Sequence, residues 1–254
     1  ILALAHSGYV AYTAVNSRLS SIRRFSLKLW RQWHPDHDDY QIKKENYILE
    51  RSARRLKKLP RHLCIVIGHG ERVSFLDLVR ILGWCIALGI PYVSFYDHDG
   101  FLKRNKNVFR TEVERTRPTL VDLIDWESNA TSKKLTENGC NGFRRRTRVQ
   151  MFSKADGKGE IVTLAKNLSR AVILGLLKTE EIDAELLNDK LRLEDTPDPD
   201  LVFVCGPALS TYGLLPWHTR TTEFFQLRSH WDVSVNDFTF ILEKYGMCEQ
   251  RYGK

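Results

Sequence analysis

The sequence predicts a single α/β domain with a mainly parallel central sheet flanked by helices, and three observations carry that prediction. Residues 63–67 and 201–205 are runs of five consecutive apolar residues rich in β-branched types, as in strands buried on both faces. Residues 92–96 form a third strand-like segment, and the stretch before it has helical period, so the chain reads strand, helix, strand. At 254 residues a folded chain buries roughly 70–75% of the surface it exposes when unfolded, so neither disulfides nor a structural metal is needed to hold a core.

From the N-terminus, the first fifteen residues are largely apolar, too few to cross a hydrocarbon layer of about 30 Å. Arg18, Arg23, Arg24, Lys28 and Arg31 follow them. Two readings of residues 1–35 stay open: a membrane-proximal segment with a basic cytoplasmic flank, or an amphipathic helix packed on the domain. Residues 36–59 are charged and helix-permissive, a connecting arm that ends in a basic block from Arg51 to Lys58. Pro60 and Gly68 bound the first strand, which opens a domain over residues 60–254. Ser74 and Asp77 form an analogue of a capping box. Phe75, Leu78, Val79, Leu82, Cys85 and Ile86 then recur at helical spacing until Gly89 and Pro91 stop the helix.

Residues 122–146 are polar and broken by Asn138-Gly139 and Asn141-Gly142, which predicts a long loop or insertion. Residues 147–152 read as a strand. A helix follows Gly159 with Ile161, Leu164, Ala165, Leu168, Ala171, Val172 and Gly175 on one side, and a second, acidic-capped helix starts near Thr179. Thr196-Pro197-Asp198-Pro199-Asp200 turns the chain into the strand at 201–205. The aromatic-rich remainder predicts a helix from Ser234 to about Met247.

Composition narrows the function classes. Lys and Arg number 39 against 31 Asp and Glu, a formal charge of +8. Arg144, Arg145 and Arg146 lie in the loop without interleaved aromatics, so no nucleic-acid partner is expected. Cys64, Cys85, Cys140, Cys205 and Cys248 are scattered, without a Cys-x-x-Cys pair, which argues against a disulfide framework and for a reducing compartment. Within apolar runs such thiols act as small hydrophobes.

In a parallel sheet an anionic substrate is sought just past the carboxyl ends of the strands. The first exit, Gly68-His69-Gly70-Glu71, offers glycines, a histidine and a carboxylate but neither familiar phosphate-binding glycine spacing, and a plain turn is the better reading of His69. The second exit has no charged residue between Asp200 and His218. A diphosphate demands arginine, lysine or a metal at close range, and this loop supplies none.

Pro60-Arg61-His62 with the following strand resembles the first strand of the cis-prenyltransferases, which an Asp-Gly-Asn motif closes. Asp200-Leu201 and Leu214-Leu215-Pro216-Trp217 are similar to their later Asp-Leu strand and its Phe-Leu-Leu-Trp segment. Residues 96–100 with 103–105, 197–201, 215–218 and 248–254 more closely resemble the Nogo-B receptor family, the accessory subunits of eukaryotic dehydrodolichyl diphosphate synthase. Together the matches cover about residues 58–254.

The resemblance implies an undecaprenyl diphosphate synthase-like fold and an enzyme subunit that is silent by itself. Gly68 stands where catalytic members carry their metal-binding Asp, and His69 and Gly70 replace the next two positions. Two arginines and a serine that hold diphosphate fall on Val204, Ser210 and Tyr212. Glu223 matches a metal-associated Glu, left without its partner. The resemblance also implies that the C-terminal Arg251 and Gly253 bind substrate diphosphate in a catalytic partner's pocket. A guanidinium offers a planar fork of donors, and a glycine leaves its N–H open to an anion.

Further expectations follow from the family: Mg²⁺ in the partner's site, isopentenyl and farnesyl diphosphate as substrates of the complex, a role in dolichol synthesis and protein glycosylation, and an endoplasmic reticulum membrane with the domain facing the cytosol. Trp217, Phe224, Phe225, Trp231 and Phe238 are the candidate dimer interface. The rival reading is a membrane-tethered receptor or lipid-binding module with no part in catalysis.

Overall fold

A computed structural model of the chain describes residues 35–126, 146–193 and 196–249. The chain divides into two compact units, residues 1–48 and 49–254. Of the first, the described part is the greater portion of helix α1, Pro35–Ala53. Among the described residues no helix is long and apolar enough to cross a membrane.

The second unit is built on six strands: β1 (His62–Ile67), β2 (Tyr92–Asp97), β3 (Ile124–Trp126), β4 (Thr147–Phe152), β5 (Leu201–Cys205) and β6 (Glu223–Leu227). They lie in the order β3-β4-β2-β1-β5-β6 and every neighbouring pair is parallel. All six therefore start at one edge of the sheet and leave at the other. Helices α2 (Phe75–Ala87), α3 (Phe101–Arg104), α4 (Lys106–Thr116), α5 (Glu160–Ile173), α6 (Ala184–Lys190) and α7 (Val235–Met247) connect or follow them.

The central strands are apolar throughout because both faces are covered: every residue of β1 and β5 is buried. On one face Phe238 of α7 packs edge-on against Phe203 of β5 and, tilted, against Trp84 of α2, with ring centres 5.6 and 5.3 Å apart. On the other face Cys64, Val66, Tyr96, Val202 and Val204 meet Leu214 and Leu215, which come from a loop. Burial pushes the Cys64 thiol up to about 12, and those of Cys85 and Cys205 upward too, so all three stay protonated.

Local chemistry sets the helix limits as the sequence predicts. The Ser74 hydroxyl accepts from the Asp77 amide at α2, and the Ser234 hydroxyl accepts from the Asp237 amide at α7. The α2 helix ends in a Schellman motif: Ile90 N–H bonds to the Cys85 carbonyl, and Gly89, at φ +74°, bonds to Ile86.

Three expectations need correction. The segment read as insertion from residue 122 contains strand β3, only three residues long and so without a readable alternation; residues 127–145 lie outside the described residues. The turn Thr179–Glu181 is a separate 3₁₀ element, and α6 begins after Asp183, whose carboxylate accepts from the Leu186 amide at 2.8 Å. The apolar side of α5 is not a core face, since the helix has no buried residue.

At the edge where the strands start, Asp200 holds β1 to β5. Its Oδ2 accepts from the amides of Arg61 at 2.7 Å and His62 at 2.9 Å. The His62 ring, fully buried, lies 2.7 Å from the Pro197 carbonyl through Nδ1 and 2.8 Å from the Ser94 hydroxyl through Nε2. The carbonyl can only accept, so Nδ1 carries the proton and Nε2 receives the hydroxyl's. Burial lowers the pKa of His62 to about 4, outweighing the opposing effects of the Pro197 carbonyl and the Asp200 charge.

Because the folded ring resists a proton that the unfolded ring takes near 6.5, its contribution is complete above that pH and is lost as the pH falls towards 4. Urea denaturation at stepped pH is expected to show about 3 kcal/mol of stability lost over this window. His62→Gln, which cannot titrate, is expected to remove that slope; a slope unchanged in the variant would refute the assignment.

Candidate functional site

The strand-exit edge is where a parallel sheet offers backbone donors to an anion. Here the exits of β1 and β5 are drawn together. Gly68 N–H donates to the Cys205 carbonyl at 2.7 Å. A Cβ on Gly68 would stand 2.7 Å from that same oxygen, 3.3 Å from the Gly206 Cα and 3.3 Å from the Tyr212 hydroxyl. The position has room for hydrogen alone, so it admits no carboxylate.

The loop after β5 folds back over this edge. Tyr212, at φ +50°, presents its carbonyl to two donors, the Tyr96 hydroxyl at 2.7 Å and His98 Nδ1 at 2.9 Å. These bonds hold a non-glycine residue in the left-handed region, a conformation that persists only where its surroundings enforce it. Leu214 and Leu215 follow into the core, and the Gly213 carbonyl packs against Gly157, where a side chain would collide with it. Ser210 is exposed and Val204 is buried within β5.

What remains open is a groove of about 310 Å³ lined by His98, Asp99, Gly100, Lys103, Arg104, Ser153 and Ala155. Its cations are already engaged. Lys103 Nζ lies 2.6 Å from Asp156, and Arg104 donates to the Asp99 carbonyl at 2.6 Å. His69 and Asp99 approach to 3.9 Å, both largely exposed. Among the described residues no three His, Cys, Asp or Glu side chains converge as metal ligands. With Gly68 closed, the residues at this edge do not fit the Mg²⁺ implied by the family resemblance.

The Glu71, Ser229 and His230 cluster beside the β1 exit has the composition of a catalytic triad but a different function. His230 Nδ1 lies 2.9 Å from Glu71 Oε2, while Nε2 accepts the Ser74 amide at 2.9 Å. The nitrogen a base would need is consumed by the helix α2 cap, so the cluster pins the exit loop to that helix.

The remaining predicted residues are dispersed. Glu223 opens β6 beside Leu201, at the edge where strands start, a strand's length from Gly68. Phe238 is fully buried between Trp84 and Phe203, which corrects its reading as an interface residue. Trp217 and Trp231 are half-buried and tied through their indole N–H groups to Asn188 Oδ1 and the Arg72 carbonyl. Phe224 and Phe225 are half-buried on β6, the outer strand of the sheet. Arg251 and Gly253 lie outside the described residues. Lys58 Nζ donates to the Cys248 carbonyl at 2.7 Å, so α7 ends at the strand-start edge, opposite Gly68. The folded-back loop escaped sequence reasoning; its one signal is Gly213 directly after Tyr212.

No protein-family model matches the chain. It is 36% identical over 203 residues to the human dehydrodolichyl diphosphate synthase complex subunit NUS1, covering 80% of this chain and 69% of that one. It is 26% identical over 262 residues to the tritrans,polycis-undecaprenyl-diphosphate synthase (geranylgeranyl-diphosphate specific) of Pyrococcus horikoshii, covering 87% and 94%. Among solved structures, lavandulyl diphosphate synthase from Lavandula x intermedia matches with a TM-score of 0.55 at 18% identity over 77% of this chain and 98% of that one. That likeness establishes the α/β prenyltransferase-type fold.

Gly68→Ala tests the closed exit. Forcing β1 and β5 apart is expected to cost about 2 kcal/mol and lower the melting temperature by roughly 4–8 °C. Gly68→Asp is expected to cost at least as much. An unchanged melting temperature for the alanine variant, read by calorimetry, would refute the tight contact.

Proposed function

The chain belongs to the family of NUS1 subunits of dehydrodolichyl diphosphate synthase complexes, and we propose that it is an accessory subunit with no catalytic site of its own. The observation that carries this reading is the closed juncture of Gly68, Cys205 and Tyr212, with a built Cβ only 2.7 Å from a backbone oxygen. A subunit of this shape offers neither a carboxylate for a metal nor free cations for a diphosphate at the edge where its fold would bind them.

Its catalytic contribution is then made in trans. The last described helix delivers the chain end to the edge opposite Gly68, beside Lys58, which supports a tail that serves a neighbouring subunit. In this reading Arg251 grips a substrate diphosphate in the pocket of a catalytic cis-prenyltransferase partner, and the unhindered N–H of Gly253 adds a second donor. Mg²⁺ belongs to the partner's site. The complex extends farnesyl diphosphate with isopentenyl diphosphate towards the long polyprenyl chain of dolichol, at the endoplasmic reticulum membrane with this domain in the cytosol.

The test compares the co-purified pair carrying the wild-type tail with Arg251→Ala and with a deletion of residues 253–254. Loss of a charge-bearing donor to the reacting diphosphate is expected to lower turnover by about a hundredfold with the pair intact on gel filtration. This chain alone, given both prenyl substrates and Mg²⁺, is expected to elongate nothing. Undiminished turnover in both tail variants would favour the membrane-tethered receptor or lipid-binding module and defeat the proposal.

A further inference from the structure

The edge where the strands start carries a second cavity, of about 660 Å³, at the other end of the sheet from the closed exits. That volume lies within the range of small-molecule sites. Arg61, before β1, Arg192, after α6, and Arg220, before β6, all line it. None of the three forms an ion pair with a described residue. The facing carboxylate among the described residues is Asp198, and burial raises its pKa against the opposing pull of His218 and Arg220. Three guanidinium groups around one concavity repel each other unless an anion lies among them.

Two buried polar groups in the wall are incomplete. Thr196 and His218 are each 7% exposed, and both line the cavity. Thr196 Oγ1 and His218 Nδ1 have no hydrogen-bond partner. Leaving such groups unsatisfied costs about 1–3 kcal/mol each. Both are otherwise held in place. His218 Nε2 lies 2.7 Å from the Leu191 carbonyl, which fixes the ring and leaves Nδ1 free, and the Thr196 amide donates to the Leu193 carbonyl at 2.7 Å. The third element is Trp217, whose indole N–H is fixed on Asn188 Oδ1 at 2.7 Å and whose ring carries the Arg220 guanidinium 5.1 Å from its centre. This stacking positions a cation at the cavity wall.

We infer that this cavity binds a phosphate group, free or as the ester of a small molecule, between Arg61, Arg192 and Arg220, with Thr196 and His218 completing its hydrogen bonds. The histidine selects among oxyanions. With Nε2 donating to Leu191, a neutral ring offers Nδ1 as an acceptor and a charged ring offers it as a donor. A phosphate ester, whose second pKa is about 6, matches either form by keeping or yielding its proton. Sulfate and carboxylate have no proton to give near neutral pH and leave the neutral ring unsatisfied. The site is independent of the role proposed for the Arg251 tail.

The test is calorimetric titration of the intact chain at pH 8 and constant ionic strength, with inorganic phosphate, sulfate, ribose 5-phosphate and ribose as probes. Saturable one-to-one binding of phosphate is expected, with sulfate weaker by about tenfold. Ribose 5-phosphate binding at least as tightly as phosphate identifies an ester as the ligand; its exclusion while phosphate binds identifies the free ion. The double variant Arg192→Ala/Arg220→Ala, both at exposed positions, is expected to weaken phosphate by about tenfold or more without lowering the melting temperature. Thr196→Val is expected to weaken it by several-fold. No saturable phosphate binding, equal affinity for sulfate, or affinity indifferent to the double variant overturns the inference.

Discussion

The amide of Gly68 and the carbonyl of Cys205 meet at 2.7 Å where β1 and β5 leave the sheet, and the rest of the exit edge is arranged around that contact. Parallel strands normally diverge here, and the crevice between them is where ligands settle. In this chain the crevice is closed by a backbone hydrogen bond that tolerates no side chain, then covered by the Tyr212 carbonyl under its two donors. The loop that would carry substrate-binding groups supplies Leu214 and Leu215 to the core instead. A face of the sheet that lacks a buried helix is thereby filled from the loop, so the closure of the site and the completion of the core are one packing event.

The opposite edge has the reverse character. Asp200, His62, Ser94 and Pro197 form a satisfied polar clasp that sets the register between β1, β2 and β5. Beside it lie guanidinium groups without ion pairs among the described residues and two buried polar atoms without partners. A buried network that is satisfied rigidifies, and one left open calls for a ligand. The two kinds occur within a few residues of each other in the segment from Thr196 to Asp200, so the clasp supplies the rigid frame on which the open groups are displayed.

Much of the fold was legible because its signals are local. The apolar runs of β1 and β5, the Ser74 and Ser234 caps and the Gly89 stop are written in neighbouring residues and need no knowledge of the rest. The short strand β3 escaped because it owes its existence to pairing with β4 and not to its own three residues. The stripe on α5 showed the right period for a core helix, yet period reports only that one side is apolar and not that this chain covers it. Phe238 looked like interface because aromatic content cannot distinguish a core ring from a surface ring. At the candidate site, the missing carboxylate at Gly68 was readable from the resemblance. Its physical reason, a carbonyl 140 positions away in the chain, was not.

The segment from Tyr212 to Arg220 connects the two edges. Tyr212 and Leu215 both have positive φ, at +50° and +22°, and such strain persists only where surrounding contacts over-determine it. Those contacts lie at both ends: Tyr96 and His98 at the exit edge, and Leu191 and Asn188 at the strand-start edge through His218 and Trp217. Between them the His218 amide and the Thr219 hydroxyl both return to the Leu215 carbonyl, at 3.0 and 3.2 Å. A backbone so tightly tied has little slack, so a shift that opened Tyr212 from its donors would have to move Leu215 and, through it, the ring of His218. The groups that close one edge and those that stand ready at the other are therefore held in place by the same nine residues.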